Sequence, residues 1–357
     1  MLRLPGLIDP HVHMREPGAV HKEDWDTGTA AALAGGFTAV LAMPNTRPPI
    51  FDEQTLSLSL EAARQKARCD YAQFVGAGPE NAAALPSLAG RAAGLKMYLD
   101  MTFGQLRLDD MALWQQHFQN WPSDSPLVVH AESRSMAAAV LMAAIYDRPV
   151  HIAHISLREE ILIIKAARER GIKVTCEVTP HHLFLTEDDS KSGGLSAGPG
   201  RSEVRPRLAQ RSDVDALWEN LDVIDCFATD HAPHTLQEKD SQSPPPGFPG
   251  LETALPLLLT AVRAGRLRVD DIVEKCVTNP RQIFRLPAQA ETWVEIDEEA
   301  SCEIRAADHF SRCGWTPFEG WKVRGRVQRV VLRGIEVFKD GKVIGQPGTG
   351  HDLRASG

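Results

Sequence analysis

Residues 7–15 read LIDPHVHMR. An apolar run able to fill a buried strand ends in three polar side chains spaced two apart, His11, His13 and Arg15. Side chains alternate faces along a strand, so His11 and His13 point the same way, with Asp9 behind and Arg15 ahead. The pattern recurs along the chain. Strand-like runs at 7–13, 37–42, 71–76, 94–99, 127–130, 150–154, 173–178 and 223–228 alternate with Ala/Leu-rich, helix-like runs. These lie at 24–35, 53–68, 80–91, 109–120, 133–146, 157–170 and 211–220, and another helix-like run, 251–264, follows the last strand. Strands alternating with helices make βαβ units and a parallel sheet. Eight such units predict an α/β fold of the closed (β/α)8 TIM-barrel type; a doubly wound open sheet is the alternative.

Polar residues gather at the C-terminal ends of these runs: His11, His13, Asn45, Lys96, His130, His154, Glu177 and Asp230. In a closed barrel those ends share one mouth, where active sites of such enzymes lie. After residue 286 the pattern changes. ETWVEI (291–296) and WKVRGRVQRVVLRGIEVFKDGKVI (321–344) alternate with period two, and KDGK (339–342) carries an Asp-Gly hairpin signal. The expected organisation is a barrel over 1–286 and a β-rich extension over 287–357 packed on it.

Two long loops follow late strands. In the first, 186–207, residues 186–200 read as plain surface loop, whereas in the second, 235–250, the prolines of 244–246, followed by Gly247, suit a stiff pocket edge as well as a bland one. The tail GQPGTGHDLRASG is polar and Gly-rich and is expected to fray. Both ends read as cuts in a longer polypeptide, a short natural gene being the alternative. A net charge of -8 and the lack of a long basic run argue against a nucleic-acid surface. No apolar stretch is long enough to span a membrane, and the N-terminus has no signal-peptide pattern. Six cysteines without a C-x-x-C pair suit reduced thiols in the cytoplasm.

Two imidazoles on one side of a buried strand suit a divalent metal, and imidazole with carboxylate suits zinc. His130 ends one strand and Asp230 follows another. In HIAH (151–154) the two histidines face opposite sides, and His154, nearer the strand end, is the candidate while His151 reads as structural. His181 and His182 lie past a strand end and point apart. Lys96 is out of place in GLKMY, because an unpaired buried ammonium is costly. A snorkelling lysine, one paired with Asp100 or Glu132, and one converted by carbon dioxide to a metal-bridging carbamate all fit at this level.

The segments GLIDPHVHMREPG, AMPNTRPP, GLKMY, VVHAE, HIAHIS and ATDHAPHT resemble, in order and along nearly the whole chain, the dihydroorotases of the cyclic amidohydrolase group. CEVTPHHLFL, GFPGLET and WTPFEG bring the likeness nearest to the dihydroorotase domain of the animal multifunctional pyrimidine-synthesis protein. The resemblance implies reversible closure of N-carbamoyl-L-aspartate to L-dihydroorotate. It implies two Zn2+ per chain, one held by His11, His13 and Asp230 and the other by His130 and His154. Carboxylated Lys96 would bridge them with a hydroxide, and Asp230 would shuttle the proton. Arg15, Asn45 and His234 would bind the substrate carboxylate. Thr102 and Phe103, in a loop matching 101–104, would close over the substrate, and Pro246 and Gly247 would touch its ring; Glu177 and Arg205 are further candidates. Ala153 stands where the animal domain carries a cysteine near a further metal, which speaks against a third zinc although Glu177 and His151 remain. Pro10 breaks the expected pattern and predicts a local bulge. The resemblance further implies a homodimer and flanking carbamoyl-phosphate synthetase and aspartate transcarbamylase domains. Dihydropyrimidinases, hydantoinases and allantoinases share the barrel and metals but lack this substrate's carboxylate, and a metal-free scaffold would be expected to lose a ligand.

Overall fold

The computed structural model describes residues 1–102, 106–191, 195, 198 and 200–355. Its core is a ring of parallel strands. Leu7–Val12, Phe37–Ala42 and Asp70–Gln73 pair in that order. Val75–Gly76 continues the third strand past Phe74 and pairs with Leu95–Tyr98, followed by Leu127–His130, Val150–Ile152, Val174–Val178 and Cys226–Phe227. The ring closes where Val12 bridges His231 and the His13 N–H donates to the His231 carbonyl at 2.8 Å. Treating the split third strand as one gives the expected eight. The strands are buried on both faces and read as continuous apolar runs, as parallel sheets covered by helices do.

Most helices stand where the periodicity puts them. Trp25–Ala34 and Glu53–Lys66 start at Asp24 and Asp52, whose carboxylates accept from the third helical N–H. The run 80–91 departs from expectation: only Leu85–Leu88 forms one 3₁₀ turn. Pro86 within the run cannot donate an intrahelical hydrogen bond and clashes with the preceding turn, so only a first-turn position suits it. Instead Asn81 organises the segment, accepting from Gly78 N–H at 2.8 Å and donating to the carbonyls of Phe51 and Gly76 at 3.0 Å.

The β appendage is a sheet of Trp293–Glu303, Lys322–Leu332, Ile335–Lys339 and Lys342–Val343, with Asp340 and Gly341 both at positive φ in the predicted hairpin turn. It also takes in Leu2–Pro5, antiparallel to Trp293–Glu303, so the first residues of the chain belong to the sheet assigned above to the C-terminal segment alone. The tail is not frayed through 355. His351 N–H donates to Asp70, Leu353 N–H donates to the Tyr71 carbonyl, and Arg354 Nη2 reaches the Phe284 carbonyl at 2.6 Å. Backbone pairing there outweighs the segment's polar composition. Among the described residues no helix is long and apolar enough to cross a membrane.

Candidate active site

The site opens at the C-terminal ends of the barrel strands. Pro10 does its work in the first of them. Asp9 pairs with Val40 and Val12 with Ala42, so one residue more is spent on the first strand than on its neighbour. That is the predicted bulge. Asp9 anchors it by accepting from His11 N–H at 3.1 Å and from the Thr229 N–H and hydroxyl at 3.1 and 2.5 Å. Burial pushes the Asp9 carboxyl up to about 7, against these bonds. The first and eighth strands are thereby locked side by side, which sets His11 and His13 against Asp230.

His11 Nε2 lies 3.3 Å and His13 Nε2 2.9 Å from Asp230 Oδ1. The other nitrogen of each ring is committed: His11 Nδ1 contacts Glu177 Oε1, and His13 Nδ1 meets Asn45 Oδ1 at 2.7 Å. Oxygens of this kind only accept, so both Nδ1 atoms carry the protons. Two Nε2 lone pairs therefore converge on a carboxylate with no hydrogen between them. Burial pushes His13 down to about 4, so it is neutral at pH 7. Acceptors facing acceptors is the arrangement a cation resolves, and carboxylates behind the histidines are what orient such ligands.

A second group completes the mouth. His130 Nδ1 and His154 Nε2 are 2.9 Å apart, and the His154 and His11 rings are 5.2 Å apart, centroid to centroid. His154 Nδ1 and Lys96 Nζ are buried without a hydrogen-bond partner among the described residues. Burial pushes the Lys96 amine down to about 8, with Glu177 and Asp230 opposing. Neither Asp100 nor Glu132 pairs with it; Asp100 instead accepts from the Glu132 N–H at 2.8 Å. The donor set of His11, His13 and Asp230 thus fits a metal, and Lys96 is an amine that the fold leaves unsatisfied among the described residues.

Arg15, His154 and Asp230 have φ of 58°, 36° and 45°. Such left-handed residues cost about 1–3 kcal/mol each and cluster where a fold imposes function. Arg15 Nε donates to the Pro233 carbonyl at 3.1 Å and Nη2 lies 3.0 Å from His234 Nε2. The cavity is lined by Arg15, Asn45, Thr102, Arg205, Pro246 and Gly247 around His11, His13, His130, His154 and Asp230. His234 stands behind Arg15 and touches the Pro246 carbonyl at 3.0 Å. Gly247 is required there, since a Cβ would lie 2.5 Å from the Ala232 carbonyl oxygen. Phe103 falls outside the described residues.

Two residues, Tyr98 and Trp315, escaped the sequence, and the candidate Glu177 takes a place that its position in the sequence did not give. Glu177 lies outside the cavity and serves from behind: its oxygens meet His11 Nδ1, His151 Nε2 at 3.2 Å and His154 N–H at 3.3 Å. Tyr98 lines the cavity with a buried hydroxyl that has no hydrogen-bond partner among the described residues; the spacing Lys96-x-Tyr98 mirrors His11-x-His13 and would have found it. Trp315, from the C-terminal segment, donates its indole N–H to the His234 carbonyl at 2.7 Å. Of the histidines set aside, His151 Nδ1 meets Thr175 Oγ1 at 2.9 Å and His182 meets Thr179 and the Pro206 carbonyl, whereas His181 Nε2 is buried without a hydrogen-bond partner among the described residues.

A family model described as "Dihydro-orotase-like" matches residues 1–85. The chain is 57% identical over 99% of its length to the multifunctional protein CAD of Squalus acanthias, of which it spans only 16%. It is 39% identical over 96% of its length to a dihydroorotase of Pyrococcus abyssi, covering 85% of that protein. Among solved structures, an inactive dihydroorotase-like domain of a Chaetomium thermophilum CAD-like multifunctional protein superposes with a TM-score of 0.84 and 28% identity, over 99% of both chains. With the bulged His-x-His strand and its converging ligands already in place, these likenesses over nearly the full length mean that the chain belongs to the dihydroorotase family.

Proposed function

We propose that this chain interconverts N-carbamoyl-L-aspartate and L-dihydroorotate in pyrimidine biosynthesis, using two zinc ions. The observation that carries the reading is the convergence of His11, His13 and Asp230, whose ligand atoms all lie within 4.8 Å of one another, beside Arg15 in the same cavity. His11, His13 and Asp230 would hold one metal, His130 and His154 the other, and Lys96, carboxylated, would join them. When bound, the metals would supply an ionised water at neutral pH and polarise the ring amide. Arg15 grips the substrate carboxylate through its two-pronged donor face. Asn45 spends its oxygen on His13, which turns its amide N–H groups towards the same carboxylate. In hydrolysis the ionised Asp230 takes a proton from the attacking water and returns it to the departing ring nitrogen. In closure it enters protonated and runs the same path backwards. Thr102, Phe103, Pro246 and Gly247 enclose the ring. Both Glu177 oxygens are already engaged, which supports two metals rather than three.

The test is elemental zinc content on a sample assayed in both directions. About two zincs per chain with both activities is the expected result. No zinc and no turnover after addition of zinc and bicarbonate would favour a scaffold like the inactive Chaetomium domain. The complete donor set argues for the enzyme.

We further propose a homodimer, flanking carbamoyl-phosphate synthetase and aspartate transcarbamylase domains, and a cytoplasmic home. The adjacent helices Arg134–Ile145 and Arg158–Glu169 expose Leu141, Ile145, Leu162 and Ile163, which supports self-association through that side of the barrel. The likeness to one segment of a longer multifunctional protein supports the flanking domains. The six cysteines are all free, in keeping with a reducing compartment.

A further inference from the structure

His234 is surrounded by more demands than an imidazole can meet. Its Nδ1 faces Lys22 Nζ at 3.0 Å, and its Nε2 faces both Arg15 Nη2 and the Pro246 carbonyl oxygen at 3.0 Å. A neutral ring donates from one nitrogen and accepts at the other, while ammonium and guanidinium groups only donate. A proton on Nε2 satisfies Lys22 and Pro246 and opposes Arg15. A proton on Nδ1 satisfies Arg15 alone.

Lys22 tips this balance. It is 5% exposed, and Glu238 Oε1 lies 2.9 Å from its Nζ, which keeps it a donor. Lys22 follows the first barrel strand. Glu238 sits in the turn Leu236–Lys239 after the last one, where its backbone N–H and carboxylate close a capping box with Thr235. The ring's own backbone is held from the far side by Trp315. Lys22 therefore approaches His234 from a rigid frame rather than as a mobile surface lysine.

We propose that Lys22 is a positioning residue that fixes His234 as the Nε2–H tautomer. The ring N–H then holds the Pro246 carbonyl, and the same nitrogen offers Arg15 no lone pair, which turns that amino group towards one anionic group, a carboxylate of the substrate. The proposal rests on the reading of Arg15 as a carboxylate binder, and it assigns Lys22 a role that the metal-ligand pattern does not. It also explains why a buried cation stands next to a histidine in a pocket that already holds Arg15.

The first test needs no variant. Histidine-¹⁵N-labelled protein, with the His234 signals assigned by their loss in His234→Gln, reports which nitrogen carries the proton. Nε2–H is expected in the wild type, and Nδ1–H there overturns the proposal. In Lys22→Met the tautomer shifts towards Nδ1–H, and KM for dihydroorotate rises about tenfold while kcat and zinc content change little. Lys22→Arg, another donor-only cation, restores the Nε2–H signature and most of the KM. An unchanged tautomer and KM in Lys22→Met overturns the proposal. If Lys22→Met fails to fold, the wild-type spectrum still decides. Nε2–H in a wild-type protein that binds zinc but turns over no dihydroorotate would uphold the tautomer and sink the functional reading.

Discussion

The two ends of the barrel each bury a cation, and they treat it in opposite ways. At the N-terminal end Arg148, just before the strand Val150–Ile152, sends its two amino groups to the carbonyls of Phe118, Trp121 and Pro122 at 2.9, 2.6 and 3.3 Å; only its Nε lacks a partner. Its neighbours there are also served by backbone: Lys275 donates to the Ile224 carbonyl at 2.7 Å, and Asn279 to that of Asp225 at 3.0 Å. At the C-terminal end Lys96, fully buried, has no hydrogen-bond partner among the described residues. A buried cation whose donors end on carbonyls is part of the structure. One that the fold leaves unsatisfied is waiting for chemistry, and it sits at the end of the barrel where catalysis belongs.

The contrast is open to attack, most severely at Lys96. Lys96→Met should cut kcat/KM by about a thousandfold or more and, with both proteins compared free of metal, leave the thermal midpoint equal or higher, since an unpaired buried charge is replaced by an apolar side chain of similar size. Arg148→Met should do the reverse. It strands three carbonyls and should lose about 3 kcal/mol in urea unfolding, with kcat per folded molecule unchanged. If Lys96→Met destabilises as much as Arg148→Met, the division between the ends fails. Arg15→Lys should raise KM about thirtyfold, because a point charge cannot replace the fork, while zinc content holds; lost zinc would dissolve the separation of metal and substrate duties. The pH response should split by direction. Hydrolysis needs the ionised form of Asp230, so it persists as pH rises. Closure needs its protonated form and should fall by up to about tenfold per pH unit on its limiting limb; parallel pH–rate profiles would break this.

Lys239 sharpens the comparison with the smallest effect. It lies at the mouth yet resembles Arg148, its amine bonding the carbonyls of Glu203, Pro245 and Gly247 at 2.7, 3.0 and 3.2 Å. Lys239→Met should cost about 2 kcal/mol and raise KM only about threefold, by loosening the Pro246–Gly247 edge. A larger loss of kcat than of stability would place Lys239 with Lys96.

Much of the barrel was legible because its signals are local. Strand and helix periods lie within ten or so residues, and His11, His13, His130 and Asp230 betrayed themselves as polar residues at the ends of apolar runs. What stayed hidden depends on partners far along the chain. Nothing near Leu2–Pro5 says that its neighbour is Trp293–Glu303, and nothing near Lys22 says that it meets a histidine 212 positions on. Glu177 was visible as a strand-end carboxylate, but only the packed barrel turns it towards the back of His11. The lost helix over 80–91 is legible after all, since Pro86 stands in the middle of the run, where a helix does not tolerate it.

The pairing of Leu2–Pro5 with Trp293–Glu303, and of His13 with an aspartate 217 residues later, matters for how a ribosome delivers this protein. At about 5–20 residues per second, the first strand waits roughly 15 to 60 seconds for its sheet partner to be synthesised. Throughout that interval the nascent barrel is an open crescent with an unpaired edge, the kind of surface that chaperones cover. Asp230 reaches His11 and His13 only when the crescent closes, so a metal held by all three marks a closed barrel.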